Sequence, residues 1–491
     1  MNRSRFPRYL AVLMCVFGAI CLVVAVIAVM RGDTAIALAS REKGLAQGPQ
    51  EPFMVKDINP SGDSDPQVLT NFDDELFFAA ADGDYGVGLW HSDGTITGTT
   101  LISGVMAGGW SGAYQGIVQF KDRLYFDSGH RIWMSDGTPQ GTQPLTPQLS
   151  REIEGLIATR DRLTFFSTDR GCTSICWDNG LEMWVSDGSI SGTVNLGMIS
   201  GAATGFSAYN LVRIGNIIYF SAYAADLGVE LWRSDGTLTG TYMVKDIAPG
   251  YNLGSDPFEL TVVYSSLFFG ANLHELWKSD GTMTGTVHLK DIVPSGYGEI
   301  TELEKSGKNL FVGGGDVGIG FGIWVSDGTE DGTVMLRQYD DWGIPYHLKD
   351  VDGTLFFTVN TSGHLAGLWK SDGTVDGTVM VKDFLTGVGG SNPLELRAVA
   401  GKLYFAADDG VHGFEPWVSD GTEEGTLLLA DIEAGAGSSN PAGFSYSNGK
   451  MFFSAWDQVH GRELWGLDIQ LIPRGFLPYI IAVGNDSDQQ Q

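Results

Sequence analysis

Glu230-Leu231-Trp232-Arg233-Ser234-Asp235-Gly236-Thr237 and Glu275-Leu276-Trp277-Lys278-Ser279-Asp280-Gly281-Thr282 are almost the same phrase. Its tryptophan returns nine times: Trp90, Trp133, Trp184, Trp232, Trp277, Trp324, Trp369, Trp417 and Trp465, at intervals of 43 to 51 residues. A period in that range marks a propeller or a solenoid. Most copies run on through Gly-Thr into a short apolar segment close to Val-Lys-Asp-Ile.

Residues 394–432 show what one copy encodes. Four runs, 394–399, 402–406, 415–419 and 426–432, are rich in aliphatic and aromatic residues and are separated by Gly and Asp turns. Such runs read as four antiparallel strands. No segment after residue 50 has a helical period, so helices are expected to be nearly absent.

Eight copies carry Asp-Gly after the tryptophan, at Asp93, Asp136, Asp187, Asp235, Asp280, Asp327, Asp372 and Asp420. Asp bonds backbone N–H groups one or two residues on, and Gly takes positive φ at little steric cost. The pair between two strands is a hairpin signal. Eight near-identical copies predict a turn-shaping role, because catalysis rarely needs one group eight times.

The ninth copy is incomplete. Trp465-Gly466-Leu467-Asp468 lacks the turn and the following strand, whereas Met54-Val55-Lys56-Asp57-Ile58 is an outer strand with no tryptophan before it. The two deficits complement each other. The N-terminal strand is expected to complete the last blade and close a ring, which hides a sheet edge. The predicted fold is all-β, a β-propeller of four-stranded antiparallel blades. The tryptophan count gives nine blades. A short second repeat and an insert in the third leave eight blades, or an open array, as alternatives.

The phrase resembles the ELWxxDGT repeat family of bacterial exported proteins, over roughly residues 53–468. Other copies depart from it: Gly88, Arg131, Gly322 and Gly367 replace Glu, and Met183 and Pro416 replace Leu. The resemblance implies a repetitive all-β protein of the cell surface or the exterior. It transfers no catalytic role to any residue.

The N-terminus carries Arg3, Arg5 and Arg8 before an uncharged apolar run over 9–30, long enough to span a bilayer. Basic residues before the run keep that end cytoplasmic and send the rest outside. Residues 1–31 therefore read as a transmembrane signal-anchor or a cleaved signal peptide, with an Ala37-Leu38-Ala39 site for the latter. Residues 32–52 read as a linker, 53–468 as the propeller and 469–491 as a tail. The tail's apolar stretch, 471–483, is too short and too Pro-broken for a second span.

Net charge is −29, with residues 1–50 contributing +4 and the remainder −33. That surface repels nucleic acid and anionic head groups. Cys172 and Cys176 are the only cysteines beyond the apolar run, and export favours a disulfide closing a small loop. There is no H-E-x-x-H and no G-x-S-x-G. Residues 313–318 match G-x-G-x-x-G but lack the following helix that a dinucleotide site needs.

A second recurrent loop, Ser64-Asp65-Pro66, Ser255-Asp256-Pro257, Ser391-Asn392-Pro393 and Ser439-Asn440-Pro441, follows the outer strand. It is expected to join one blade to the next near one mouth of the channel, with Asp or Asn before Pro starting a turn. Asp65, Asp256, Asn392 and Asn440 are candidate calcium ligands, since calcium prefers hard oxygens, although no EF-hand spacing is present. The functional expectation is an exported binding or structural scaffold for a glycan, a protein or an envelope polymer. The alternatives are a propeller enzyme acting on carbohydrate and a subunit of an envelope complex. Fold alone does not choose among them.

Overall fold

A computed structural model describes residues 51–469, apart from 85, 105–115, 129, 169–179, 200–207, 225, 251–252, 295–296, 317–319, 340–342, 361–366 and 385–392. The N-terminal apolar run, the Cys172–Cys176 loop, Asn392 and the tail beyond 469 lie outside the described residues. Among the described residues every regular element is a strand, and no helix is long and apolar enough to cross a membrane.

The strands form nine four-stranded antiparallel sheets. Each is a blade of a β-propeller: blade 1 (67–103), 2 (118–144), 3 (152–198), 4 (209–245), 5 (258–291), 6 (298–339), 7 (344–383), 8 (394–428) and 9 (442–468). Blade 9 takes its fourth strand from Phe53–Lys56, with Phe53 opposite Gly466 and Met54 opposite Trp465. Both chain ends thus build one sheet, as the complementary deficits require. The first strands of neighbouring blades from blade 2 round to blade 9, and those of blades 9 and 1, lie side by side around a central channel.

Strand alternation explains the core. Each blade sets its large side chains against the next blade, and nine buried apolar clusters fill the nine boundaries. The cluster between blades 9 and 1 joins Val55 and Ile58 to Phe452, Leu464, Leu76 and Phe78. The tryptophans occupy equivalent places on the third strands. Phe faces them on the second strand in eight blades, for example Phe220 opposite Trp232 and Phe453 opposite Trp465, while Val312 faces Trp324. The Lys of the V-K-D-I strand crosses to the following blade. Lys56 Nζ lies 5.6 Å from the Trp90 ring centroid and donates to Thr99 O at 2.7 Å, and Lys245 does the same toward Trp277 and Thr286. The fourth strand of blade 8 is only Leu427–Leu428, shorter than the 426–432 expected from sequence. Pro416 on the facing strand has no N–H to continue the ladder.

The S-D-G-T turns behave as architecture. In blade 1 the Asp93 carboxylate accepts from Thr95 N–H (2.8 Å) and Thr95 Oγ1 (2.7 Å), while Ser92 and Thr99 hydroxyls bond each other at 2.7 Å. The same set recurs in blades 2 to 8, as at Asp280 and Asp420. The hydroxyl bond from Thr95 holds Asp93 below the usual carboxylate range, and the other seven aspartates are lowered in the same way, Asp187 by Ser189. Gly98 closes the turn: a Cβ there would lie 2.1 Å from Asp93 Oδ1. Gly98→Ala is expected to break this cap and lower stability by about 2 kcal/mol, read as a shifted urea midpoint with an unchanged slope.

Candidate functional site

The interblade loops organise around buried carboxylates. Glu230, Glu415 and Glu463, the Glu of the repeated phrase, have no solvent exposure. Glu415 accepts from Ile432 N–H (3.0 Å), Glu433 N–H (3.3 Å), Ser439 N–H (2.9 Å) and Ser439 Oγ (2.6 Å). Glu230 does the same with Ile247, Ala248 and Ser255. Glu463 holds Ile58 N–H and Ser64 Oγ, so the ring-closing boundary uses the same device. Burial pushes all three carboxyls up, against these donors.

The three described Ser-Asp/Asn-Pro loops are therefore anchored by Ser and Pro, which are buried, while Asp65, Asp256 and Asn440 stay exposed at φ 45°. These three calcium candidates do not converge. Asp65 and Asn440 sit on neighbouring loops, with Arg462 bonded to Asn440 O (2.9 Å) and 3.8 Å from Asp65 Oδ1. Asp256 belongs to the loop between blades 4 and 5. Among the described residues no group of three or more His, Cys, Asp or Glu is arranged to hold a metal ion. His412 and His460 occupy equivalent hairpins and bond Asp409 (2.8 Å) and Asp457 (2.9 Å). Gly313 to Asp316 lie within the second strand of blade 6.

The channel wall breaks the repetition. Each first strand except that of blade 2 carries a bulge, and its register on the second strand defines equivalent positions. Thr70, Val118, Ile157, Val212, Thr261, Glu304, Lys349, Arg397 and Ser445 face Phe77, Tyr125, Thr164, Tyr219, Phe268, Phe311, Phe356, Tyr404 and Phe452. Two residues earlier stand Val68, Gly116, Gly155, Asn210, Glu259, Glu302, His347, Glu395 and Gly443. Blades 5 to 8 thus place Glu, Glu, His and Glu on one arc, and blades 9, 1, 2 and 3 place Gly, Val, Gly and Gly opposite. All but Glu302 have φ between 51° and 69°, a region that favours glycine.

A cavity of about 550 Å³ runs along the first strands of blades 6 to 9 and 1, lined by Glu302, His347, Lys349, Glu395 and Arg397 together with Leu348, Leu394 and Leu396, and by Val68, Leu69, Gly443 and Phe444. Glu302 Oε2 accepts from Leu348 N–H at 3.1 Å, and Glu395 Oε2 from Gly443 N–H at 3.1 Å. Glu304 accepts from Asp350 N–H (3.2 Å) and lies 3.7 Å from Lys349 Nζ. Burial pushes Glu302 up to about 7, and the Glu259 and Glu304 charges add to it. Burial also raises Glu259 and lowers His347.

Sequence reasoning missed this arc. The signal was a polar residue directly before the first-strand leucine: Glu259-Leu260, Glu302-Leu303, His347-Leu348 and Glu395-Leu396. The consequence is testable. A carboxyl raised from 4.5 to about 7 favours the fold below pH 4.5 and loses that contribution as pH rises through 7. Glu302→Gln keeps an acceptor for Leu348 N–H and does not ionise. Its thermal stability is expected to match the parent at pH 5 and exceed it by about 2 kcal/mol at pH 8, measured by calorimetric melts across that range.

The chain matches no protein-family model and no curated protein. Among solved structures, it is 18% identical to the computationally designed Ika8 protein, over 72% of this chain and 95% of that one, with a TM-score of 0.42. Puromycin hydrolase is 12% identical over 83% of this chain and 61% of that one (TM-score 0.39), and BamB from Moraxella catarrhalis is 12% identical over 74% and 95% (TM-score 0.39). Likenesses this slight carry no argument about what the chain does.

Proposed function

We propose that this chain is an exported cell-surface binding scaffold, a rigid nine-bladed disc that holds a glycan, a protein or an envelope polymer at its central channel. The observation that carries the reading is the channel wall. A body built from one repeated unit has no structural need to place Glu259, Glu302, His347 and Glu395 on one arc where blades 9, 1, 2 and 3 place glycine and valine. Convergent polar groups beside an apolar wall in a cavity of about 550 Å³ are the usual form of a ligand site. The apolar run over 9–30 and the ELWxxDGT resemblance support export.

The test is a binding screen of the purified full chain against glycans, envelope polymers and envelope proteins, with and without millimolar calcium. Glu302→Gln and His347→Ala are run in parallel. A ligand whose affinity falls tenfold or more in these variants supports the reading. Ligands indifferent to both substitutions, or none at all from folded protein, overturn it.

One observation favours a carbohydrate-cleaving enzyme as a second reading. Glu302, raised to about 7, stands among other acidic groups of the arc, and glycoside hydrolysis uses one protonated and one ionised carboxyl. Release of reducing sugar by the parent and not by Glu302→Gln would establish it.

A further inference from the structure

The first hairpins of blades 3 and 4 are tied together. Residues 159–162 close the hairpin of blade 3, where Thr159 N–H and Oγ1 both donate to Arg162 O, at 2.9 and 3.1 Å. Ile214 pairs with Ile217 to close that of blade 4 over Gly215 and Asn216. Asn216 Nδ2 donates to Asp161 Oδ2 at 2.6 Å and joins the two. A second cavity, of about 580 Å³, opens at this junction and is lined by Arg160, Arg213, Gly215 and Asn216, all exposed. It lies at the hairpin ends of the first strands, away from the interblade loops.

Neighbouring cations of these turns serve the fold. Lys121 Nζ donates to Asp187 O at 2.7 Å and Arg162 to Gly236 O at 3.0 Å, each clamping the S-D-G-T turn of the next blade. Arg160 and Arg213 have no hydrogen-bond or ion-pair partner among the described residues, although carboxylates outnumber cations by 59 to 30 in the chain. Asp161, the adjacent carboxylate, is turned to Asn216 instead. Two like charges on one cavity repel each other and are relieved by a shared anion. Guanidinium is charged at every working pH, and its planar fork matches the paired oxygens of carboxylate, phosphate and sulfate.

We infer that the hairpins of blades 3 and 4 bind one oxyanion group, a phosphate, sulfate or carboxylate carried on a sugar, with Arg160 and Arg213 donating to its oxygens. The remainder of the chain is strongly acidic and repels a densely charged polyanion. The ligand class is therefore a sparsely charged glycan that presents single anionic groups. The sugar rests on the proposed scaffold function, whereas the anion rests on these two arginines alone.

The test uses the full chain and four probes, glucose 6-phosphate, glucose 6-sulfate, glucuronate and glucose, titrated by saturation-transfer NMR. At least one charged sugar is expected to bind about tenfold or more tighter than glucose, and the tightest of the three names the oxyanion. Replacing both arginines, Arg160→Gln with Arg213→Gln, erases that advantage. Lys305→Gln with Lys308→Gln removes two exposed charges from the equivalent hairpin of blade 6 and leaves it intact. Circular dichroism shows both double variants folded. Charged sugars that bind no tighter than glucose overturn the inference, as does an equal loss in the blade 6 variant. Glu302→Gln leaves this binding unchanged, so the hairpin site and the channel reading fail separately.

Discussion

A chain lacking residues 53–58 is expected to lose about 5 kcal/mol of stability or more and to self-associate. Three losses add. Val55 and Ile58 leave the cluster they share with Leu76, Phe78, Phe452 and Leu464, at about 1.5–3 kcal/mol per fully buried side chain. The buried Glu463 loses the Ile58 N–H at 2.8 Å, which leaves a desolvated carboxylate short of a donor. The strand Gly461–Asp468 loses the partner that covers its edge, and an open edge recruits other chains. Thermal unfolding followed by circular dichroism should drop by about 6 °C, and light scattering should show oligomers. An unchanged melting temperature in a monomeric product would mean that the ring does not depend on its N-terminal strand.

Glu415→Ala is expected to cost about 4 kcal/mol. The substitution removes the acceptor of three backbone N–H groups and the Ser439 hydroxyl in a site with no solvent exposure. Each buried donor left without a partner costs about 1–3 kcal/mol, less whatever water enters the gap. Glu415→Gln keeps one strong acceptor and should cost roughly half as much. Chemical unfolding of the three proteins gives the ranking, parent above Gln above Ala. Equal midpoints for parent and Ala would show that the interblade loop is held by something other than this carboxylate. The same substitution at Glu75, half exposed beside His91, should be nearly silent.

The sequence showed the repeat, its four strands and the closure of the ring because each rests on local chemistry. Asp93-Gly94 and its seven counterparts fold the same way through bonds within a few residues. The missing outer strand after Trp465 and the spare one at 54–58 were visible as text. The blade count was ambiguous on paper because blade 2 has short strands, ending in Gln143–Pro144, yet its cluster with blade 3 is complete. The channel arc was illegible for a different reason. Glu259 and Glu395 sit in ordinary strand text, Phe-Glu-Leu and Leu-Glu-Leu, and only the bulge registers bring them to one wall. The three described Ser-Asp/Asn-Pro loops, at 64–66, 255–257 and 439–441, lie between blades as expected, but their function as partners of a buried Glu needed the fold. That Glu and Ser are 24 or 25 residues apart in blades 4 and 8 and 399 apart across the closure.

The channel keeps its two unlike walls only if the ring is closed, so the closure is the claim to test first. Hydrogen exchange on the full chain reads it without any substitution. The amides of residues 53–58 are predicted to exchange only with global unfolding, at the same rate as those of Gly461–Asp468. Exchange of 53–58 in seconds, while 461–468 stays protected, would contradict the closed nine-bladed ring and the channel site built on it.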